Sequence, residues 1–180
     1  VDEVKSSSTT FGHRLSGGEI KLSQPGDYES QLADHQVIAS CQERQTRLLK
    51  ELSAAASSIH GTLMPDETLL REVSEIVEYP SVVLGQFPLE FLNLPQSILI
   101  CSLREHQKSF CIQSSDGKLL PYFLSVANRD LSVDSKARET ITKGNEWVLN
   151  ARLFDAQFFY REDTKTLLED QRPRLEQLTF

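Results

Sequence analysis

Side chains able to do chemistry concentrate in residues 104–160, which also hold the sole tryptophan, Trp147. Arg138, Asn145 and Arg152 recur every seven residues and so share one face of a helix, with Asp155 one turn past Arg152. Such a face either carries exposed ion pairs and caps, which add little stability, or holds a partner. Just upstream, Arg104, His106, Gln107 and Lys108 end an apolar run, where the negative end of a helix favours cations whatever else they do. Asn128 follows a strand as a natural turn residue, and Asn145 after Gly144 can relieve a helix kink. Near the N-terminus His13 and Arg14 sit beside Gly12, with no second ligand or nucleophile close in sequence; a structural role and an RNA or domain-interface role both remain open. Glu72, Glu75 and Glu78 are spaced by three, but no His or Asp converges with them, so they read as a solvated stripe and no metal is expected. Arg44, Arg47 and Glu51 likewise read as a solvated helix face. There is no G-x-S-x-G, H-E-x-x-H, Cys and His constellation or Walker loop, so no catalytic residue is expected.

The elements that must position these groups follow from pattern. Cys111 and Ile112 lead into Ser114-Ser115-Asp116-Gly117, and residues 119–126 lead out, rich in aromatic and β-branched types; Asp-Gly between apolar runs predicts a hairpin with a primed turn. From Ser135 onward Ile141, Val148, Ala151, Phe154 and Phe158 recur at three, four and seven residue steps, which predicts a long helix. Leu48, Leu52, Ala55 and Ile59 predict a helix over 42–59, stopped by Gly61. Pro65-Asp66-Glu67 opens another, which Tyr79-Pro80 ends. Residues 81–87 read as a strand, and Pro95 starts a further helix. Phe11, His13 and Leu15 alternate, then Ile20 and Leu22, which suggests an extended pair about Gly17-Gly18; Asp27 suits an N-cap, and residues 165–177 read as a closing amphipathic helix. With no repeat and no βαβ rhythm, the expected fold class is α+β: a mixed, mainly antiparallel sheet of the residue 81 strand and the hairpin, covered by helices, with membership of the N-terminal pair left open.

Composition bounds function. The net charge is −7, and only residues 101–161 are net basic, with 9 Lys+Arg against 7 Asp+Glu; residues 62–100 have 1 against 6. Any contact with phosphate is thereby confined to one face and weak in isolation. Cys41, Cys101 and Cys111 form no C-x-x-C pair and suggest neither disulfides nor zinc, which fits a reducing cytoplasmic setting. No apolar run is long enough to cross a membrane. Residues 1–8 are acidic and polar without an apolar core, and read as a disordered lead-in to a single module over 9–180.

Four ordered blocks carry a resemblance: GHRLSGG at 12–18, LLREVSEIVEYPSVVLGQFPLEFLNLP, then EHQKSF with DGKLLPYFLSVAN, and GNEWVLNARLFDAQFFYREDTK. In that order and spacing they resemble the β subunit of the bacterial type of glycyl-tRNA synthetase, over nearly the whole chain from about Phe11. The chain departs from the family's usual pattern at Ser109, where an aromatic is common, and at Trp147 and Asn150-Ala151, where basic residues or proline are common.

The resemblance implies an internal module of a longer subunit, with a fold like the editing module in the β subunit of the phenylalanine enzyme. It implies the α subunit, the remaining β-subunit domains and tRNA(Gly) as partners. Activation of glycine with ATP and magnesium would belong to the α subunit, and these residues would be a non-catalytic, tRNA-contacting scaffold of a glycine–tRNA ligase. On that reading Lys108, Arg129, Lys143 and Arg152 are the expected phosphate contacts, and His106, Asn128, Asn145 and Glu146 shape the cleft between hairpin and helix. Two other roles stay open: an editing hydrolase using His106, Asn128 and Glu146 about a positioned water, and a purely structural subunit-interaction module.

Overall fold

A computed structural model describes residues 7–170. Along the chain, β1 (Thr9–Phe11) pairs antiparallel with β2 (Glu19–Lys21), and a 3-10 turn at Pro25–Asp27 leads into α1 (Tyr28–Asp34). Then come α2 (Cys41–Ser58), β3 (Thr62–Leu63), α3 (Glu67–Ile76), β4 (Pro80–Gln86) and a 3-10 turn at Leu89–Asn93. Next, α4 (Gln96–Cys101) widens into a π turn at Ser102–His106, and β5 (Phe110–Gln113), β6 (Leu119–Asn128) and the 29-residue α5 (Ser135–Asp163) complete the fold.

The main sheet has the order β3-β5-β6-β4, with every neighbouring pair antiparallel, as the α+β reading requires. Strand alternation sends its side chains to two separate cores. Phe110 and Ile112 of β5, Leu124 of β6 and Val82 of β4 pack with Leu48, Leu52 and Ala56 of α2 and Leu69 and Val73 of α3. Cys111, Leu119 and Phe123 point the other way and meet Leu99, Leu103, Phe91 and, from α5, Leu149 and Leu153. The sheet is therefore sandwiched between an α2/α3 layer and an α4/α5 layer. Phe123 fills the second core only because Gly85 lies opposite it in the register; a Cβ there would stand 2.4 Å from the ring.

Several expectations are settled or corrected. The β1–β2 ribbon stands apart from the main sheet, and His13 and Leu15 lie in the loop between its strands. That loop closes tightly, with His13 N–H donating to His35 O at 2.9 Å and Gly12 N–H to Gly18 O at 2.9 Å, because chain reversal so close to His35 outweighs alternation. Ser7 and Ser8, assigned to the lead-in, are tied to the ribbon: Ser7 Oγ accepts from Thr9 N–H, and Ser8 O from Leu22 N–H. In the β5–β6 hairpin only Gly117 has positive φ (79°), and Gly117 N–H donates to Ser114 O at 3.0 Å. This is a longer loop with a left-handed glycine at its end, not a two-residue primed turn. Helix α2 ends with His60 in the left-handed region (φ 57°); Gly61 is needed because a Cβ there would lie 2.4 Å from Ile112 Cγ2. The closing helix over 165–177 is described only to Asp170: a turn follows Asp163 and helix resumes at Leu168, with the remainder outside the described residues.

Candidate functional site

Strand β4 forms one edge of the sheet, and its outward backbone groups set the roles of many polar residues. An unpaired edge invites association with another strand, so its N–H and C=O groups need covering. Glu51 Oε2 on α2 accepts from Val82 N–H at 3.2 Å, Arg138 on α5 donates to Val82 O at 2.7 Å, and Glu146 Oε1 accepts from Gln86 N–H at 2.9 Å. These three side chains staple the helices of both layers to one strand. Glu51 is held in turn by Arg47 at 3.0 Å, whose guanidinium lies 4.2 Å from the centre of the Tyr79 ring. Arg44 donates to Ser74 O at 2.8 Å and Ala39 O at 2.9 Å. Arg44, Arg47 and Glu51 are thus a structural network, not the solvated face that their spacing implied.

The expected cleft residues have similar occupations. Asn128 Oδ1 accepts from Glu78 N–H at 2.9 Å and Tyr79 N–H at 3.0 Å, which ties the chain after α3 to the end of β6. Asn145 Nδ2 donates within α5 to Ile141 O at 2.9 Å, and His106 is exposed at the end of the π turn. Asn128 is opposite Pro80 and Glu146 beside Gln86, at the two ends of β4. At ~3.3 Å per residue these ends are about 20 Å apart, so Asn128 and Glu146 do not shape one cleft. The same distance separates two members of the suggested editing constellation.

Nor do the four expected phosphate contacts assemble. Lys108 Nζ lies 2.8 Å from Glu72 on α3, in the layer opposite α5. Arg129 is 3.1 Å from Asp134, and Lys143 is 2.6 Å from Glu139. The Glu139 carboxylate holds the Lys143 ammonium above its ordinary range, and Glu139 is held below its own. Arg152 is exposed and has no carboxylate partner among the described residues. Lys143 and Arg152 are nine residues apart on α5, about two and a half turns, and therefore on opposite sides of the helix. The positive surface expected between hairpin and helix is not formed, because three of its cations are spent on neighbouring carboxylates and the fourth lies on the opposite side of α5 from Lys143.

Two pockets bear on the site. A cavity of about 220 Å³ is lined by Met64, Asp66, Leu69, Arg104 and Cys111, among others. Its polar wall is the Asp66–Arg104 pair at 2.6 Å. Burial alone would raise the Asp66 carboxyl, but the Leu69 N–H and the Arg104 guanidinium reverse this and hold it below the ordinary range. Burial, with the nearby Asp66 charge, pushes the Cys111 thiol up to about 12, so it is no nucleophile. The second feature, lined by Gln86, Phe87, Pro88, Leu89, Glu146 and Asn150, has a volume of about 400 Å³. Among the described residues no group of three or more His, Cys, Asp or Glu side chains comes together to hold a metal, and no helix is long and apolar enough to cross a membrane.

Comparison with known proteins places this geometry. The family described as glycyl-tRNA synthetase beta subunit matches over residues 1–180. The chain is 39% identical over 180 residues to the glycine–tRNA ligase beta subunit of Bacillus subtilis, and 38% identical over 180 to that of Listeria welshimeri; each match takes in all of this chain and 26% of the relative. The relative from Streptococcus gordonii is 39% identical over 178 residues, 99% of this chain and 26% of its own. The chain thus spans about a quarter of the length of these relatives.

Proposed function

The chain belongs to the glycyl-tRNA synthetase beta subunit family, and from that premise we propose that these residues are a non-catalytic scaffolding module of a glycine–tRNA ligase. One observation carries the reading: three of the four cations expected to grip a nucleic acid are engaged in ion pairs, and Glu51, Arg138 and Glu146 hold helices to the sheet. The α subunit, the remaining β-subunit domains and tRNA(Gly) are the partners of the assembled ligase on this proposal. ATP and magnesium are expected at the α subunit, and no step involving them is assigned to these residues. A cytoplasmic location accords with protein synthesis.

Direct tRNA contact is a second reading, favoured by the exposed Arg152, which has no carboxylate partner among the described residues. Titration of tRNA(Gly) against this chain at several salt concentrations separates the two. A scaffold on an acidic body binds more weakly than about 100 μM at physiological salt, with a salt slope of about one cation or less. Binding tighter than about 1 μM, with a slope of several cations, would establish a true RNA-gripping face.

A further inference from the structure

One side of α5 carries Trp147, Phe154 and Phe158, which are 76%, 53% and 58% exposed. Their spacing of seven and four, with Asn150 between, makes one continuous stripe on the helix. Leu89, 70% exposed, stands on the neighbouring 3-10 turn. That turn is fixed beside the helix by Phe154, which rests edge-on against buried Phe91 with ring centroids 5.0 Å apart.

Between turn and helix opens the 400 Å³ groove lined by Gln86, Phe87, Pro88, Leu89, Glu146 and Asn150. Asn150 Oδ1 is fully enclosed there and has no donor among the described residues. One oxygen of Glu146 takes the Gln86 N–H, and the other has no partner among the described residues. The free Glu146 oxygen and its negative charge thus stand in the groove wall, with the enclosed Asn150 oxygen behind it. A buried acceptor without a donor is costly, and a polar pocket beside exposed aromatics has the composition of the centre of a protein interface. Phosphate would be repelled by the carboxylate, whereas a cationic side chain would pair with it.

We propose that this groove docks a segment of the β-subunit polypeptide lying outside residues 1–180, which sets an arginine or lysine against Glu146 and Asn150 and an apolar side chain between Leu89 and Trp147. The occupant is argued from length and charge. These residues are 26% of the relatives' chain, so a tethered segment meets the groove at high effective concentration, and an apolar stripe of this kind on a soluble subunit calls for a cover. The proposal rests on the scaffolding reading.

The test places the photo-cross-linker p-benzoylphenylalanine at position 147 of the full-length β subunit, assembled with the α subunit and tRNA(Gly). Mixing isotopically light and heavy β subunits distinguishes bonds within one chain from bonds between copies. The expected product joins position 147 to a peptide of the same β chain outside residues 1–180, close to an arginine or lysine. Glu146→Gln, whose amide oxygen can still cap Gln86 N–H, then lowers its yield about tenfold, the effect of losing a charged hydrogen bond. A product with the α subunit or a second β copy overturns the proposal while leaving the scaffolding reading intact. A product with tRNA overturns both. No product, or a yield unchanged by both Glu146→Gln and Asn150→Leu, also overturns the proposal.

Discussion

Asp66 sits where one residue performs two tasks that substitution can separate. Its Oδ1 accepts from Leu69 N–H at 2.9 Å and caps α3, while Oδ2 lies 2.6 Å from Arg104 Nε in the middle of the π turn. Losing an N-cap costs about 1 kcal/mol, with a range of about 0.5–2, and α3 carries Leu69 and Val73 into the first core. For a chain of this size each kcal/mol moves the melting temperature by about 2–4 °C. Asp66→Ala is therefore expected to lower the midpoint by about 1–8 °C at pH 7, measured by circular dichroism. Asp66→Asn keeps a capping oxygen and loses only the charge on Arg104, so its drop should be less than half as large and should shrink further with added salt. The sign with pH follows from a carboxyl depressed in the folded state. Its stabilisation is fully present above the unfolded value of about 3.9 and is lost as pH falls through the lower folded value. The gap between the native chain and Asp66→Asn must then close on acidification. Equal losses for Ala and Asn, or a gap that widens toward low pH, would refute the assignment of the cap to Oδ1 and the depressed carboxyl.

Other consequences are simpler. Gly85→Ala drives a Cβ to 2.4 Å from the Phe123 ring; an overpacking cost of about 1–3 kcal/mol or more is expected in urea unfolding, and no measurable change would show that the ring has room to move. Thiol labelling under native conditions should modify exposed Cys101 well before Cys111, whose thiol is buried and pushed up to about 12; equal rates at neutral pH would contradict the packing of β5 against α4.

The residues of the fold were unequally legible. The β5–β6 hairpin, α2, α3 and α5 follow from local pattern, because turn chemistry and apolar spacing act within a few residues. The two-residue β3 has no pattern of its own and exists only through its pairing with Gln113 and Ile112. The edge-strand network escaped for a related reason. Glu51 to Val82, Arg138 to Val82 and Glu146 to Gln86 span 31, 56 and 60 residues, and a side chain that bonds a distant backbone group looks in sequence like any exposed charge. Lys108, Arg129 and Lys143 misled in the same way: Glu139 at i−4 of Lys143 was visible as a partner, but Glu72 of Lys108 was not. Arg104 with Asp66 could have been suspected only from a cap followed by a cation at a helix end, a weak signal across 38 residues.

The most direct measurement is the aminoacylation of tRNA(Gly) by the assembled ligase with Lys108, Arg129 and Lys143 all changed to alanine in the β subunit. If these cations serve the fold, the KM for tRNA stays within about twofold of the unmodified enzyme, since exposed ion pairs of this kind are individually weak. A rise of about tenfold or more in that KM, with the melting temperature unchanged, would mean that the three lysine and arginine side chains leave their carboxylates to hold RNA, and the scaffold account would fail.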